Sequence, residues 1–350
     1  MPQLDALRAF AVGGVLVHHY FPTRSLGILA FCGVKLFFVL SGFLITGILL
    51  RGRETAEASD GNRLFILRQF YVRRFLRIFP LYYFVVGLSL FLNLESVREV
   101  ILWLLTYTLN IYVVIQGYWV ANVSHFWTLA VEEQFYILWP WLILFTPKRW
   151  LALLTCLVLF VGPLYRLFGY LNELNGIATY ALTPACLDSL GLGALLAQLA
   201  QSPKLKVLLD RYSGKVSFPI GITGSAVLYL LQFYNLSAGP NLVLFDLFLA
   251  LTFCSIIYSA SKGFKGFLKP LLESRPLMYI GKISYGVYVF HPFVPTLIPP
   301  FLATLGLRYV SHEGLDFVFF TLITVVLASF SWFILEKPIN YLKRHFAYSR

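Results

Sequence analysis

Apolar stretches about as long as the ~20 residues a helix needs to cross a bilayer recur along most of this chain. They run over 5–23, 28–50, 75–93, 98–116, 127–146, 150–171, 179–200, 216–235, 240–260, 278–302 and 314–336. A soluble domain has no room for so much apolar sequence, because surface grows too fast with size. The balance of residue types agrees. The chain is 59% hydrophobic and 13% charged, against about 25% charged in an ordinary soluble protein. Its mean hydropathy is +0.75. The expected fold is therefore an all-α membrane protein, a bundle of transmembrane helices. Asp5, Arg8, His18 and His19 interrupt the first stretch and no small-residue cleavage site follows it, which argues against a cleavable signal.

A net charge of +12 raises the question of nucleic acid, and the placement of the charges answers it. Residues 51–77, 201–215, 261–276 and 336–350 hold 19 of the 28 Lys and Arg. The connections at 172–176 and 235–241 hold none. Basic clusters between spans mark the cytoplasmic side, so the charge reads as topology and nucleic acid is not an expected partner. The segment after the second span and the tail after the last are both basic. An even number of crossings must lie between them, yet nine candidates do. One candidate is not a full crossing, and 98–146 is the suspect. It carries His125, Glu132 and Glu133, which are costly against lipid, and re-entrant backbone is tolerated where it lines a cavity. The expectation is about ten crossings in a plasma (bacterial inner) membrane, with both termini cytoplasmic. Residues 51–62, RGRETAEASDGN, read as a mobile cytoplasmic loop. Residues 1–350 read as a single transmembrane domain with no fused soluble domain. The four Cys lack metal-ligand spacing and read as small hydrophobes; no metal is expected.

Four groups of residues carry chemistry. Arg8 and His19 are 11 residues apart, about three helical turns, so they point to nearly one face with a rise of roughly 16 Å between them. Ionisable groups at membrane depth face the bundle interior and mark function. His19 suits a general base, since imidazole titrates near neutrality; a histidine bonded to a carbonyl near the interface is the plainer reading. Arg73, Arg74 and Arg77 belong to an arginine run with no acid between Gly61 and Leu94. Guanidinium forks suit phosphate oxygens, as in the nucleotide of coenzyme A, although juxtamembrane arginines also serve topology and anionic lipid. In HFWTLAVEEQFYILWPW (125–141), Glu132 and Glu133 point about 100° apart on a helix, so one can face a cavity and orient a histidine. The aromatics around them also suit a membrane-interface belt. Lys35, Asp188, Asp246, Lys282 and His291 are isolated polar residues in apolar surroundings, and Asp246 has no evident role. P-loop, HExxH, CxxC and GxSxG motifs are all missing, which removes support from ATPase, metalloprotease and serine-hydrolase readings.

In this order the segments resemble the acyltransferase-3 family of integral membrane acyltransferases. The matching features are Arg8–x10–His19, GVKLFFVLSGFLIT (33–46), RRFLRIFP (73–80), FWTLAVEEQFY (126–136), the Asp188–Gly193 segment, ISYGVYVFHP (283–292) and Glu336-Lys337-Pro338. The resemblance covers nearly the whole chain. It implies a ten-helix bundle that moves an acyl group, usually acetyl, from acyl-CoA to a hydroxyl of a cell-surface glycan, glycolipid or related acceptor. Acetyl-CoA is then a donor substrate and not a resident cofactor. Carried onto this chain, His19 is the base or transient acyl carrier, tuned by Arg8 and by Glu132 or Glu133. Arg74 and Arg77, with Arg73, engage the CoA phosphates. Trp127, Lys35, Tyr136 and His291 are assigned to the substrate site. Many members carry Arg two residues before the aspartate matching Asp188, where this chain has Cys186. Some members carry a fused extracytoplasmic hydrolase-like domain, and this chain is expected to rely on another protein for any such step. The competing readings are a secondary transporter or exporter of a glycolipid or small polar substrate, and a non-catalytic membrane scaffold.

Overall fold

The computed structural model describes residues 1–21, 27–58, 61–236 and 239–348. Among the described residues there are helices and connections but no strand. The fold is an all-α membrane bundle. Of the expected features, residues 22–23 of the first span, 59–60 of the predicted loop and 349–350 of the basic tail lie outside the described residues.

The chain opens with α1 (Pro2–Tyr20), α2 (Gly27–Ala58) and α3 (Arg63–Phe91). Proline at the first turn starts α1, where its missing N–H costs nothing. The Asn62 side chain accepts the Leu64 N–H at 2.7 Å and caps α3. The predicted loop at 51–62 needs correction, because α2 stays helical to Ala58. Its basic and acidic residues are spaced to hold it. Arg53 Nε donates to Glu57 one turn on at 2.9 Å, and Arg53 Nη1 caps the Ile143 and Thr146 carbonyls at 2.9 and 2.7 Å.

The candidate span at 98–116 is not continuous. It is broken into α4 (Glu95–Glu99), α5 (Ile101–Leu105) and α6 (Leu109–Gln116). The longest has 8 residues, about 12 Å, well short of a ~30 Å hydrocarbon core. Tyr107, left-handed at φ 53°, separates α5 from α6, and Gly117 at φ 73° ends α6. The span that breaks therefore falls inside the region that parity had made suspect.

The remaining bundle comprises α7 (Phe126–Phe145), α8 (Lys148–Leu171), the short α9 (Ala178–Ala181), α10 (Thr183–Gln201), α11 (Pro203–Tyr212), α12 (Phe218–Phe233), α13 (Gly239–Lys262) and α14 (Leu268–Leu272). It closes with α15 (Arg275–Phe290), α16 (Phe293–Thr304), α17 (Glu313–Ser331) and α18 (Lys337–Tyr341). Among the described residues, seven helical stretches are long and apolar enough to cross a membrane, and the pair α15–α16, bent by 69°, makes an eighth. Helices α1 and α7, of 19 and 20 residues, have the length but are diluted by the polar groups of the site. Together these features describe a multi-pass membrane protein, and they fit the expected count of about ten.

Small residues set the helix spacing around the site. A Cβ on Gly42 of α2 would collide with the Leu190 carbonyl of α10, and one on Gly193 of α10 with the Val39 carbonyl of α2. Gly33 meets the Ala11 carbonyl in the same way, and Gly281 meets that of Asp5. Backbones therefore approach closely, as is usual for helices packed within lipid, where no hydrophobic force drives them together. Helix α2 ends up at the centre, flanked by α1, α7, α10 and α13.

Candidate active site

A cavity of about 240 Å³ opens between α1, α2, α3, α7 and α15. Arg8, Arg74, Arg77, Glu132 and Tyr136 line it, among apolar side chains such as Phe37, Phe38 and Leu129. Ser41 organises the carboxylate. Its Oγ donates to Glu132 Oε1 and accepts from the Tyr136 hydroxyl at 3.0 Å. Arg74 lies over the Tyr136 ring, 4.5 Å from its centroid, a cation–π contact. Arg77 remains accessible. Arg8 is half engaged, with Nη1 2.5 Å from Asp5. Three guanidinium groups and one carboxylate thus meet inside an apolar lining, at the end of the bundle that carries the basic segments.

A second space of about 460 Å³ adjoins this end and shares Ile48 with the first. Arg51, Arg73 and Tyr348 line it. Arg73 is less free than its neighbours. Its Nη1 donates to the Lys343 and Phe346 carbonyls at 2.8 and 3.2 Å, and it stacks on Tyr348 at 5.2 Å, so it also anchors the C-terminal segment.

The far end of the first cavity is closed by Thr128 and Tyr288, whose hydroxyls are 2.6 Å apart. Behind them sit three histidines. The His19 and His291 rings are 4.7 Å apart, and those of His125 and His291 are 5.1 Å apart. Tyr288 joins the two regions: its hydroxyl donates to the His125 carbonyl at 2.7 Å, and its own carbonyl meets His291 Nδ1 at 2.6 Å. His19 Nδ1 lies 2.9 Å from the Val15 carbonyl. A carbonyl has no proton to give, so Nδ1 carries it and Nε2 keeps a lone pair. The same reasoning leaves Nε2 of His291 as the acceptor nitrogen, and that atom has no partner.

The pairing of His19 with a carboxylate, expected from the sequence, is where the arrangement differs. Glu132 is bonded to Ser41, beside the arginines. Glu133 is buried on the adjacent direction of α7, with Oε1 unpartnered. Arg8 sits with Glu132 rather than with His19, because three helical turns separate it from the histidine. The ring neighbours of His19 are His18 and His291. His291 is fully buried in the histidine cluster. Trp127 is buried against Tyr180, at 4.8 Å between centroids, and Phe38, at 6.0 Å.

Lys35 and Asp246 also prove to be partners. Lys35 Nζ lies 2.5 Å from Asp246 Oδ2, and Arg166 Nη1 lies 3.2 Å from the same oxygen. Arg166 Nη2 pairs with Asp188. The residue with no evident role in the sequence is therefore one corner of a buried, charge-balanced quartet. Cys186 is buried, and the guanidinium beside Asp188 comes from α8 instead. Sequence reasoning missed Ser41, Tyr288, Arg166 and the role of His125 as a member of the cluster. His125 opens the HFWTLAVEEQFY segment, which was its one visible signal.

With this geometry in view, comparison with known proteins is direct. Residues 1–336 match the acyltransferase-3 family, described as an acyltransferase domain. The chain belongs to the acyltransferase-3 family. This acyltransferase-3 chain is 28% identical over 361 residues to the O-acetyltransferase OatA of Staphylococcus aureus (strain NCTC 8325 / PS 47), covering 97% of the chain and 57% of that protein. It is 28% identical over 322 residues to the peptidoglycan O-acetyltransferase OatA of Listeria monocytogenes, covering 86% of the chain and 50% of that protein. The chain thus spans about half the length of these relatives. No solved structure matches it.

Proposed function

We propose that this chain is a membrane O-acetyltransferase that takes an acyl group, in the first instance acetyl, from acyl-CoA and places it on a hydroxyl of a cell-surface glycan. The observation that carries this reading is the arginine-rimmed cavity whose far wall, Thr128 and Tyr288, backs onto the histidine cluster. Its volume of about 240 Å³ is below the roughly 300–1,000 Å³ of pockets that enclose drug-sized ligands. It suits the slender acyl-pantetheine end of the donor. The nucleotide then stays toward the basic end, where Arg74, Arg77 and Arg73 offer charge-assisted bonds to its phosphates. The basic end is the cytoplasmic one in this reading, which puts both termini inside. The names of the two relatives support acetyl as the group, and that of the Listeria protein supports a glycan as the acceptor.

The chemistry falls to His19. Its Nε2 lone pair takes the proton of the acceptor hydroxyl as the oxygen attacks the thioester carbon. The C–S bond breaks and the imidazolium returns the proton to the CoA thiolate. In the alternative route Nε2 attacks the thioester carbon and the C–S bond breaks to release the CoA thiolate; the acceptor hydroxyl then displaces the imidazole from the acyl carbon, and its proton passes to the thiolate. Both routes use the same nitrogen and the same tautomer, fixed by Val15. The donor arm has to cover the depth between Arg8 and His19, roughly 16 Å along α1, and the Thr128–Tyr288 pair has to part to admit it.

Mass spectrometry of surface glycans from cells with and without the gene tests the proposal. Loss of an acetyl mass increment on deletion, restored by the wild-type gene, is the expected result. Identical glycan spectra would overturn it.

A further inference from the structure

At the end of the bundle opposite the basic segments lies a larger cavity, about 780 Å³. Residues of the two connections without Lys or Arg line it, among them Gly176, Asn235 and Leu236. It is separated from the arginine-rimmed cavity by a layer built on α2. Phe31 lines the larger cavity, Phe38 lines the smaller one, and Lys35 lies between them with Nζ 5.4 and 6.0 Å from their ring centroids.

The lining of this larger cavity has two characters. Phe31, Tyr170, Tyr180 and Phe245 supply aromatic surface, and Phe31 stacks with Tyr180 at 5.8 Å between centroids. Arg166 and Asp246 supply a polar end. Arg166 is 2% exposed, and its guanidinium is engaged by Asp188, Asp246 and the Ala185 and Val243 carbonyls. Lys35 and Arg166 both engage Oδ2 of Asp246, which leaves Oδ1 as an acceptor. Gln232 adds an amide that both donates and accepts. Asp246 Oδ1 and the Gln232 amide are the polar partners that this end offers a ligand.

The charge balance selects the ligand. Lys35 and Arg166 are offset by Asp188 and Asp246, so the cavity carries no surplus to attract an anion. A neutral ligand that offers an apolar face to the rings and paired hydroxyls to the donor–acceptor end fits both characters. That is the chemistry of a pyranose ring. We infer that this cavity is the binding site for the neutral sugar of the glycan acceptor, held by Phe31, Tyr180, Gln232 and Asp246. The assignment of the sugar as acceptor rests on the acetyltransferase reading; the binding of the sugar does not.

Gly176 gives a clean test. A Cβ built there meets no atom within 4 Å, so Gly176→Trp adds bulk at the cavity without a backbone clash. Two measurements on the purified full chain in lipid nanodiscs separate the claims: saturation-transfer NMR binding of a β-1,4-linked N-acetylglucosamine trimer, and acetyl transfer from acetyl-CoA to the same trimer. The wild type is expected to bind the trimer. Gly176→Trp is expected to weaken binding about tenfold or more, with the thermal unfolding midpoint unchanged, and excess inorganic phosphate is expected not to displace the sugar. Failure of the wild type to bind, equal binding by Gly176→Trp, or displacement by phosphate would each overturn the sugar site. Binding that Gly176→Trp abolishes, with no acetyl transfer by the wild type, would keep the site and remove the acetyltransferase reading. Transfer that Gly176→Trp leaves intact would do the reverse.

Discussion

Lys35 Nζ and Asp246 Oδ2 approach to 2.5 Å, tying α2 to α13 in the interior of the bundle. Lys35 is 1% exposed, so neither lipid nor bulk water solvates its charge. A buried pair of this kind adds little net stability over apolar residues, but removing one partner leaves the buried quartet with an uncompensated charge. Lys35→Met or Asp246→Asn alone should therefore cost about 3–5 kcal/mol, read as a lower unfolding midpoint in detergent. Lys35→Met combined with Asp246→Asn leaves the neutral Arg166–Asp188 pair and should cost less than the two single losses added together. Strict additivity would show that the two charges do not stabilise each other.

His19→Ala should abolish acetyl transfer while the protein still inserts and unfolds at the wild-type temperature. The residue is accessible and its hydrogen bond is to a carbonyl of its own helix, so the fold does not depend on it. Transfer at the wild-type rate in this variant would remove the histidine from the chemistry.

Arg74→Ala with Arg77→Ala should raise the KM for acetyl-CoA. Hydrogen bonds to charged groups contribute about 1.5–3 kcal/mol each, so an increase of about tenfold or more is expected, with a smaller change in kcat. Initial-rate kinetics across donor concentration decide it. Donor kinetics that do not move would refute the phosphate contact.

Gly42→Leu should loosen the packing of α2 against α10. Any side chain there meets the Leu190 carbonyl, and overpacking costs about 1–3 kcal/mol. A lower unfolding midpoint with weaker activity is expected; an unchanged midpoint would mean that the two backbones are not in close contact at this glycine.

Much of this molecule was legible in its sequence. Apolar length set the membrane class, because a bilayer demands about 20 residues per crossing whatever lies beside them. Charge asymmetry and parity singled out 98–146, where α4, α5 and α6 break the candidate span. The order of Arg8, His19, the arginine run and Glu132-Glu133 carried the family. The loop read at 51–62 failed for a local reason: polar composition resembles a loop, but Arg53 and Glu57 at one-turn spacing stabilise a helix.

What the sequence could not supply was partnership across helices. Helical spacing says which residues share a face, and it is silent about which face of which other helix arrives there. Only the packed bundle gave Glu132 to Ser41 and the arginines rather than to His19, linked His19 and His125 through His291, and turned solitary Lys35, Asp246, Asp188 and Arg166 into one neutral cluster. Local pattern follows from chain geometry and from the lipid that surrounds it. The site is assembled by close glycine-mediated contacts between segments far apart in the chain, and that is a property of the tertiary structure alone.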